Sequence, residues 1–247
     1  GMEDMVGPLG FTDMDPEGML TWGFDQLGTM PTIYNYPYYP EHIKAIGGFE
    51  IDNKYVENKL MVPEAVPEKY AKIAAMIQKR YNLHVVKLTK KMVFDEGYGQ
   101  KIFDLINATY SHLYGYSQLT QKQINQYIKM YLGMLDLEFV TLIEDWSGDE
   151  RKLVGAGISM PSLSIALQKC HRGRMLPFGW WHLLRAIKFH KTKIVDLLLV
   201  GILPEYRAKG ANALLFADLI PIYQKYGIEW GETQVEMETN TAVQGQW

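Results

Sequence analysis

Cysteine is nearly missing from this chain: Cys170 stands alone among 247 residues. One cysteine forms no internal disulfide, and without a cysteine cluster there is no structural zinc site of the usual kind. A reducing compartment fits that scarcity. A surplus of positive charge is also missing. Lys and Arg number 25 against 28 Asp and Glu, for a formal charge of -3. That argues against a nucleic-acid partner, which leaves a basic excess or stripe. Long apolar runs are absent as well. The longest, Leu197 to Leu203, is of strand length, well below the ~20 residues of a membrane-spanning helix. The start lacks the basic-then-apolar pattern of a signal peptide. The expectation is a cytoplasmic protein without a membrane partner. The six histidines, at 42, 84, 112, 171, 182 and 190, show no metal-ligand spacing, so no metal is expected.

What is present is an ordinary globular composition, 47% hydrophobic and 21% charged. A chain of this length buries a core without disulfide or metal staples. Residues 1–62 differ in texture from the rest. Pro37 and Pro40 in the run Tyr34 to Pro40 forbid a regular helix there. A short helix closed by Gly47 follows, and then a possible strand over 51–62. Pro63 and Pro67 bracket a linker. The expected division is an N-terminal segment, 1–62, and a main domain, 63–247.

From Glu68 the pattern is regular. Helical spacing covers 68–81, 98–113, 120–132, 162–173, 180–188 and 211–226. Strands are expected at 83–88, 138–145, 152–159, 194–203 and 233–238, with a hairpin tip at Trp146 to Glu150. The near-continuous apolar run from Ile194 reads as a central strand covered on both faces. The fold class is therefore α/β in the broad sense (α+β), a mixed central sheet flanked by helices.

One junction carries chemistry. A buried strand ends at Pro204. The short basic turn Arg207-Ala208-Lys209-Gly210-Ala211-Asn212 follows, and a helix starts at once. The first N–H groups of a helix lack internal partners, and the helix dipole adds partial positive charge there. Arg207 and Lys209 add full charges, and Gly210 permits close backbone approach. Such a junction suits a diphosphate.

That stretch, with Ile202-Leu203-Pro204 before it, resembles the acetyl-CoA-binding segment of the GNAT (GCN5-related N-acetyltransferase) superfamily. The superfamily pattern is [Q/R]-x-x-G-x-[G/A] after a strand ending in V-x-P. Arg207, Gly210 and Pro204 match it. Asn212 stands where Gly or Ala is usual, and its side chain would crowd the phosphates, point aside or supply a hydrogen bond. The strand order from Leu83 and the junction Glu238-Thr239-Asn240-Thr241-Ala242 extend the resemblance over residues 83–247. Tyr38 to Phe49 is similar to the tail of such a unit, so residues 1–62 read as a possible remnant of a second one.

The resemblance implies transfer of an acyl group from acetyl-CoA or another acyl-CoA to a small primary amine or amino-acid-like acceptor. The cofactor-binding positions it implies are Val200, Ile202 and the six residues Arg207, Ala208, Lys209, Gly210, Ala211 and Asn212. The implied catalytic positions are Asp196, Glu238 and Asn240. A carboxylate between Val195 and Leu197 would have a raised pKa, which suits a base. The alternative is an Asp196 held in a salt bridge at a strand edge. Residues 240–247 contain no tyrosine to protonate a departing thiolate, so that role is absent or the natural chain continues past Trp247. A module that binds ligand or partner without turnover is the competing expectation.

Glu232, Gln234, Glu236 and Glu238 alternate, which gives them one strand face, either solvated or an acidic wall facing an amine. Asp13 to Gly18 has some calcium-loop character but lacks Glu at the twelfth position, so it is rejected. Cys170 and His171 are adjacent on a helical pattern and do not face each other, which leaves them plain structural roles.

Overall fold

The computed structural model describes residues 2–10 and 15–245. Asp13 of the rejected calcium loop and Trp247 lie outside that range. In chain order the elements are α1 (Tyr38–Ile46), β1 (Tyr55–Val56), β2 (Lys59–Met61), α2 (Glu68–Tyr81), β3 (Leu83–Lys87), α3 (Lys90–Phe94), α4 (Tyr98–Tyr110) and α5 (Gln121–Tyr127). Next come β4 (Val140–Asp145), β5 (Lys152–Pro161), α6 (Ser164–Lys169), α7 (Gly179–Ile187) and β6 (Ile194–Ile202). The last are α8 (Pro204–Arg207), α9 (Asn212–Tyr226), β7 (Trp230–Thr233), β8 (Glu236–Met237) and α10 (Thr241–Gln244).

The local causes are legible. Asn82 in the left-handed region closes α2, as its short polar side chain allows. The Thr120 side chain accepts from the Gln123 N–H and Gln123 answers to the Thr120 N–H, a capping box that starts α5. Gly227, also left-handed, ends α9.

Six strands form one sheet in the order β2-β7-β6-β5-β4-β3. All neighbours are antiparallel except β6 and β7, which run parallel. The class expected from the sequence, a mixed sheet flanked by helices, is what the chain forms. β1 and β8 make a separate two-stranded pair. The expected domain boundary at 62/63 falls just after β2, an edge strand of the main sheet.

Side chains alternate across the sheet and feed two layers. On one face α2 and α9 pack on Ile143, Val154 and Ile202. On the other, α3, α4 and α5 pack on Val140, Leu142, Ala156 and Ile158. Met160 shares that second face, where Leu163, Ala166 and Ala186 of the α6–α7 unit meet it.

Several elements are shorter than the periodicity predicts. The strand expected over 233–238 is two pieces, β7 and β8, because each has its own partner. The helix expected over 162–173 stops at Lys169, and one tight turn follows with Arg172 at φ 53°. Cys170 is buried and its thiol donates to the Ala166 carbonyl, while His171 points to solvent. Their structural reading holds.

Candidate functional site

The site begins with a fork in the sheet. β6 pairs with β7 only from Ile194–Trp230 to Leu197–Thr233. Past that point β6 continues alone to Ile202 on this side, still paired with β5 on the other. A register shift opposite Ile158/Ser159 leaves Leu198 without a partner on β5, a bulge that re-aims the strand.

Along the open edge the backbone itself is the functional group. Leu203 N–H bonds to the Val154 carbonyl, so Gly201 and Leu203 turn toward β5 and the residues between them turn away. Consistently, the Val200 carbonyl accepts from the Tyr110 hydroxyl at 3.2 Å, and the Ile202 carbonyl accepts from Arg207 Nε at 2.8 Å. The N–H groups of Val200 and Ile202 share that side, because both polar groups of a strand residue point the same way. A cavity of about 40 Å³ lies there, lined by Val200, Gly201, Ile202, Arg207, Asn212 and Asn240, with the end of α4 opposite. Five positions singled out in the sequence therefore meet in one place.

The basic turn is built differently from a cradle of free amides. The N–H groups of residues 208, 209, 210 and 211 bond back to carbonyls of 204 to 207, and those of Ala213 and Leu214 bond to Gly210 and Ala211. Among the described residues, Asn212 N–H is the one of this run without a backbone acceptor. Gly210 has φ 83°, and a Cβ there would meet Ile77 of α2 at 3.1 Å. Lys209 lies over the Tyr206 and Tyr81 rings at 4.2 and 5.2 Å. Ala211 is fully buried. Lys209, Gly210 and Ala211 thus serve the packing of α2 on α9, and Arg207 with Asn212 face the cavity. Asn212 Oδ1 is buried and has no hydrogen-bond partner among the described residues.

At the root of the fork sits Asp196. It is fully buried, and among the described residues neither carboxylate oxygen has a partner at full hydrogen-bond geometry, the Ser162 hydroxyl alone being near enough to favour its charge. It registers with Met160 on β5 and Glu232 on β7, which puts it on the α6–α7 face. Burial raises its pKa to about 7; the Ser162 hydroxyl opposes, and Glu232 and Glu57 add to the rise. The salt bridge considered for it is absent among the described residues. Glu57 enters from the chain beside β2, and partial burial raises its pKa too. Its contribution was invisible in the sequence, since nothing local says that residues 59–61 pair with 230–232.

The other catalytic expectations fare differently. Asn240 lines the cavity and caps α10, its Oδ1 accepting from Val243 N–H at 3.3 Å. Glu238 is exposed and outside the cavity, with its N–H bonded to the Lys54 carbonyl. The acidic face expected over 232–238 breaks at the β7/β8 gap; Glu232 accepts from Trp230 Nε1, and Glu236 accepts from Asn58 Nδ2. Tyr110 and Thr109, at the end of α4, were not singled out beforehand. A Cβ at Gly201 would meet Thr109 Oγ1 at 2.9 Å, so the glycine lets α4 close on the strand.

No family model matches the sequence. The chain is 20% identical over 225 residues to a bacterial ceramide synthase of Caulobacter vibrioides, covering 87% of this chain and 54% of that protein. It thus spans about half the length of that curated relative. Among solved structures it is similar to a GCN5-related glucosamine N-acetyltransferase region of a fungal multi-domain GH3 β-N-acetylglucosaminidase. That match has TM-score 0.48 and 11% identity, over 85% of this chain and 21% of that one. It is also similar to a GCN5-related N-acetyltransferase from Sphaerobacter thermophilus, with TM-score 0.39 and 11% identity, over 84% and 60%.

Proposed function

We propose that the chain is an acyl-CoA-dependent N-acyltransferase whose acceptor is a primary amine. The observation that carries this reading is Asp196, a buried carboxyl at the root of a split sheet with no cation paired to it among the described residues. Burying an unpaired carboxyl is costly, and a fold keeps such a group where chemistry needs it. Its pKa near 7 suits a general base at neutral pH.

The reaction needs a neutral amine to attack a thioester carbonyl. The C–N bond forms, the C–S bond breaks with its electron pair leaving on the CoA thiolate, and one proton leaves the nitrogen. Asp196 takes that proton. Four residues of strand, ~13 Å, separate it from Val200, so the proton would have to reach it through a relay of waters along the fork. The N–H groups of Val200 and Ile202 are placed to donate to an oxyanion. Arg207 and the Asn212 N–H would meet the phosphates of the acyl carrier. The similarity to a ceramide synthase supports amide formation on a lipid-like amine. Acyl-CoA as co-substrate carries the cytoplasmic location with it.

Against turnover stands the size of the cavity, about 40 Å³, room for only a few waters. Either reading, transferase or binding module, therefore needs α10, whose Val243 lines the cavity, to move aside.

A thermal-shift titration separates ligand binding from its absence. Acetyl-CoA and longer acyl-CoAs at a hundredfold excess over Kd should stabilise by about 2.7 kcal/mol, or roughly 5–10 °C. Arg207→Glu should abolish the shift. No shift with any acyl-CoA rejects the transferase reading, and an unchanged shift in Arg207→Glu puts the carrier elsewhere. A shift without amide product leaves the binding module.

A further inference from the structure

We infer that the α6–α7 unit docks the protein on an anionic lipid surface. The stretch from Arg151 to Val195 contains no Asp or Glu, although the whole chain is acidic. Residues 162–193 hold seven Lys and Arg. Among the described residues only one of them, Lys193, is in an ion pair, with Glu229. The same stretch exposes Leu176 at 75%, Phe178 at 72%, Met175 at 58% and Phe189 at 55%, with Trp180 and Trp181 beside them. Contiguous exposed apolar surface of this kind marks an interaction site.

The apolar tip is held out by structure. Trp180 N–H bonds to the Met175 carbonyl at 2.8 Å, and Trp181 N–H to the Phe178 carbonyl at 3.1 Å. Trp180 Nε1 donates to the Pro177 carbonyl at 3.0 Å. Gly179 is buried, and a Cβ there would lie 2.1 Å from the Arg174 carbonyl. The loop therefore folds tightly on itself and presents Met175, Leu176 and Phe178 outward.

Charge decides between occupants. A second copy joined through a two-fold axis would bring the same patch against itself, cation against cation. A bilayer with anionic headgroups matches both halves of the surface. Lys and Arg meet phosphate while Trp and Phe sit at the headgroup boundary. No membrane-spanning helix is implied, and among the described residues no helix is long and apolar enough to cross.

The position gives this surface a purpose. Met160 packs on the inner side of α6–α7 and registers with Asp196. Docking would bring the fork close to amines carried by lipids. That last step rests on the transferase reading; the docking does not.

The test is co-sedimentation of the full chain with phosphatidylcholine vesicles, with and without about 30 mol% phosphatidylglycerol. Binding is expected only to the anionic vesicles, and to fall at high salt. Leu176→Glu/Phe178→Glu and Arg172→Glu/Arg174→Glu should each weaken it about tenfold or more, with melting temperature and acyl-CoA shift unchanged. These side chains are exposed, so folding is not at risk. Equal binding to both vesicle types, or none, overturns the proposal. So does self-association lost in the same variants without vesicle binding, which assigns the patch to a second copy. Loss of the acyl-CoA shift in the wild-type chain, with vesicle binding intact, sinks the transferase reading alone.

Discussion

Asp196→Asn is expected to lower acyl transfer by about 10²- to 10⁴-fold, the usual contribution of a positioned base, and to stabilise the protein at pH 8. The two effects share one cause. The carboxyl has an ordinary value of 3.8 and is raised by burial to about 7. Below pH 3.8 it is neutral whether the chain is folded or not, and it carries no penalty. Between 3.8 and 7 the unfolded chain ionises first, so stability falls as pH rises. Above 7 the full penalty applies, at most about 4 kcal/mol for three pKa units. Asparagine removes the charge but leaves an amide without partners, which costs about 1–3 kcal/mol itself. A net gain of roughly 2 kcal/mol at pH 8 is therefore expected, shrinking to zero or reversing near pH 4. Urea denaturation at pH 4, 6 and 8 measures it. In the wild-type chain kcat/KM should rise through pH 7 as the base ionises, and the variant should lose that limb. Full activity in Asp196→Asn would remove the base assignment; a pH-independent stability change would mean the carboxyl is solvated.

What the sequence disclosed about this site follows from how local each feature is. β6 was legible because seven apolar residues in a row, Leu197 to Leu203, leave no solvent face. The turn before α9 was legible because Pro204 and Gly210 punctuate it. Its internal wiring was not. Whether the N–H groups of 208 to 211 point outward or back depends on the backbone path, and here each closes a turn on 204 to 207. Gly210 looked like room for a ligand, yet the neighbour it makes room for is Ile77, 133 positions earlier in the numbering. The acidic alternation over 232–238 promised one strand. It breaks because Thr233 pairs with Asn58 while Glu236 and Met237 pair with β1, partners that no local pattern reveals. Asp196 was ambiguous for the same reason. Its own neighbours predicted burial, but only the assembled sheet shows that, among the described residues, no cation pairs with it.

The largest purely structural effect is expected at Phe139, and it bears on the same strand. The ring is fully buried. It lies 5.4 Å from His190, 5.5 Å from Tyr226 and 6.1 Å from Tyr223, near-parallel in each case. Val195, next to Asp196, belongs to the same cluster with Leu219, Ile222 and Ile228. The Phe139 carbonyl accepts from Ser159 Oγ at 2.9 Å, and that oxygen accepts from the Tyr223 hydroxyl at 2.8 Å. Phe139→Ala should cost about 3–5 kcal/mol, or roughly 10 °C in Tm for a chain of this length. Tyr226→Phe, which removes only a hydroxyl bonded to Glu138 at the partly exposed rim, should cost about 1 kcal/mol. The contrast tests whether the ring stack or its polar rim holds the start of β6. If Phe139→Ala loses less than about 1.5 kcal/mol, the neighbours have collapsed into the space. Val195, and with it the carboxyl beside it, would then owe its position to the β5 and β7 pairing instead.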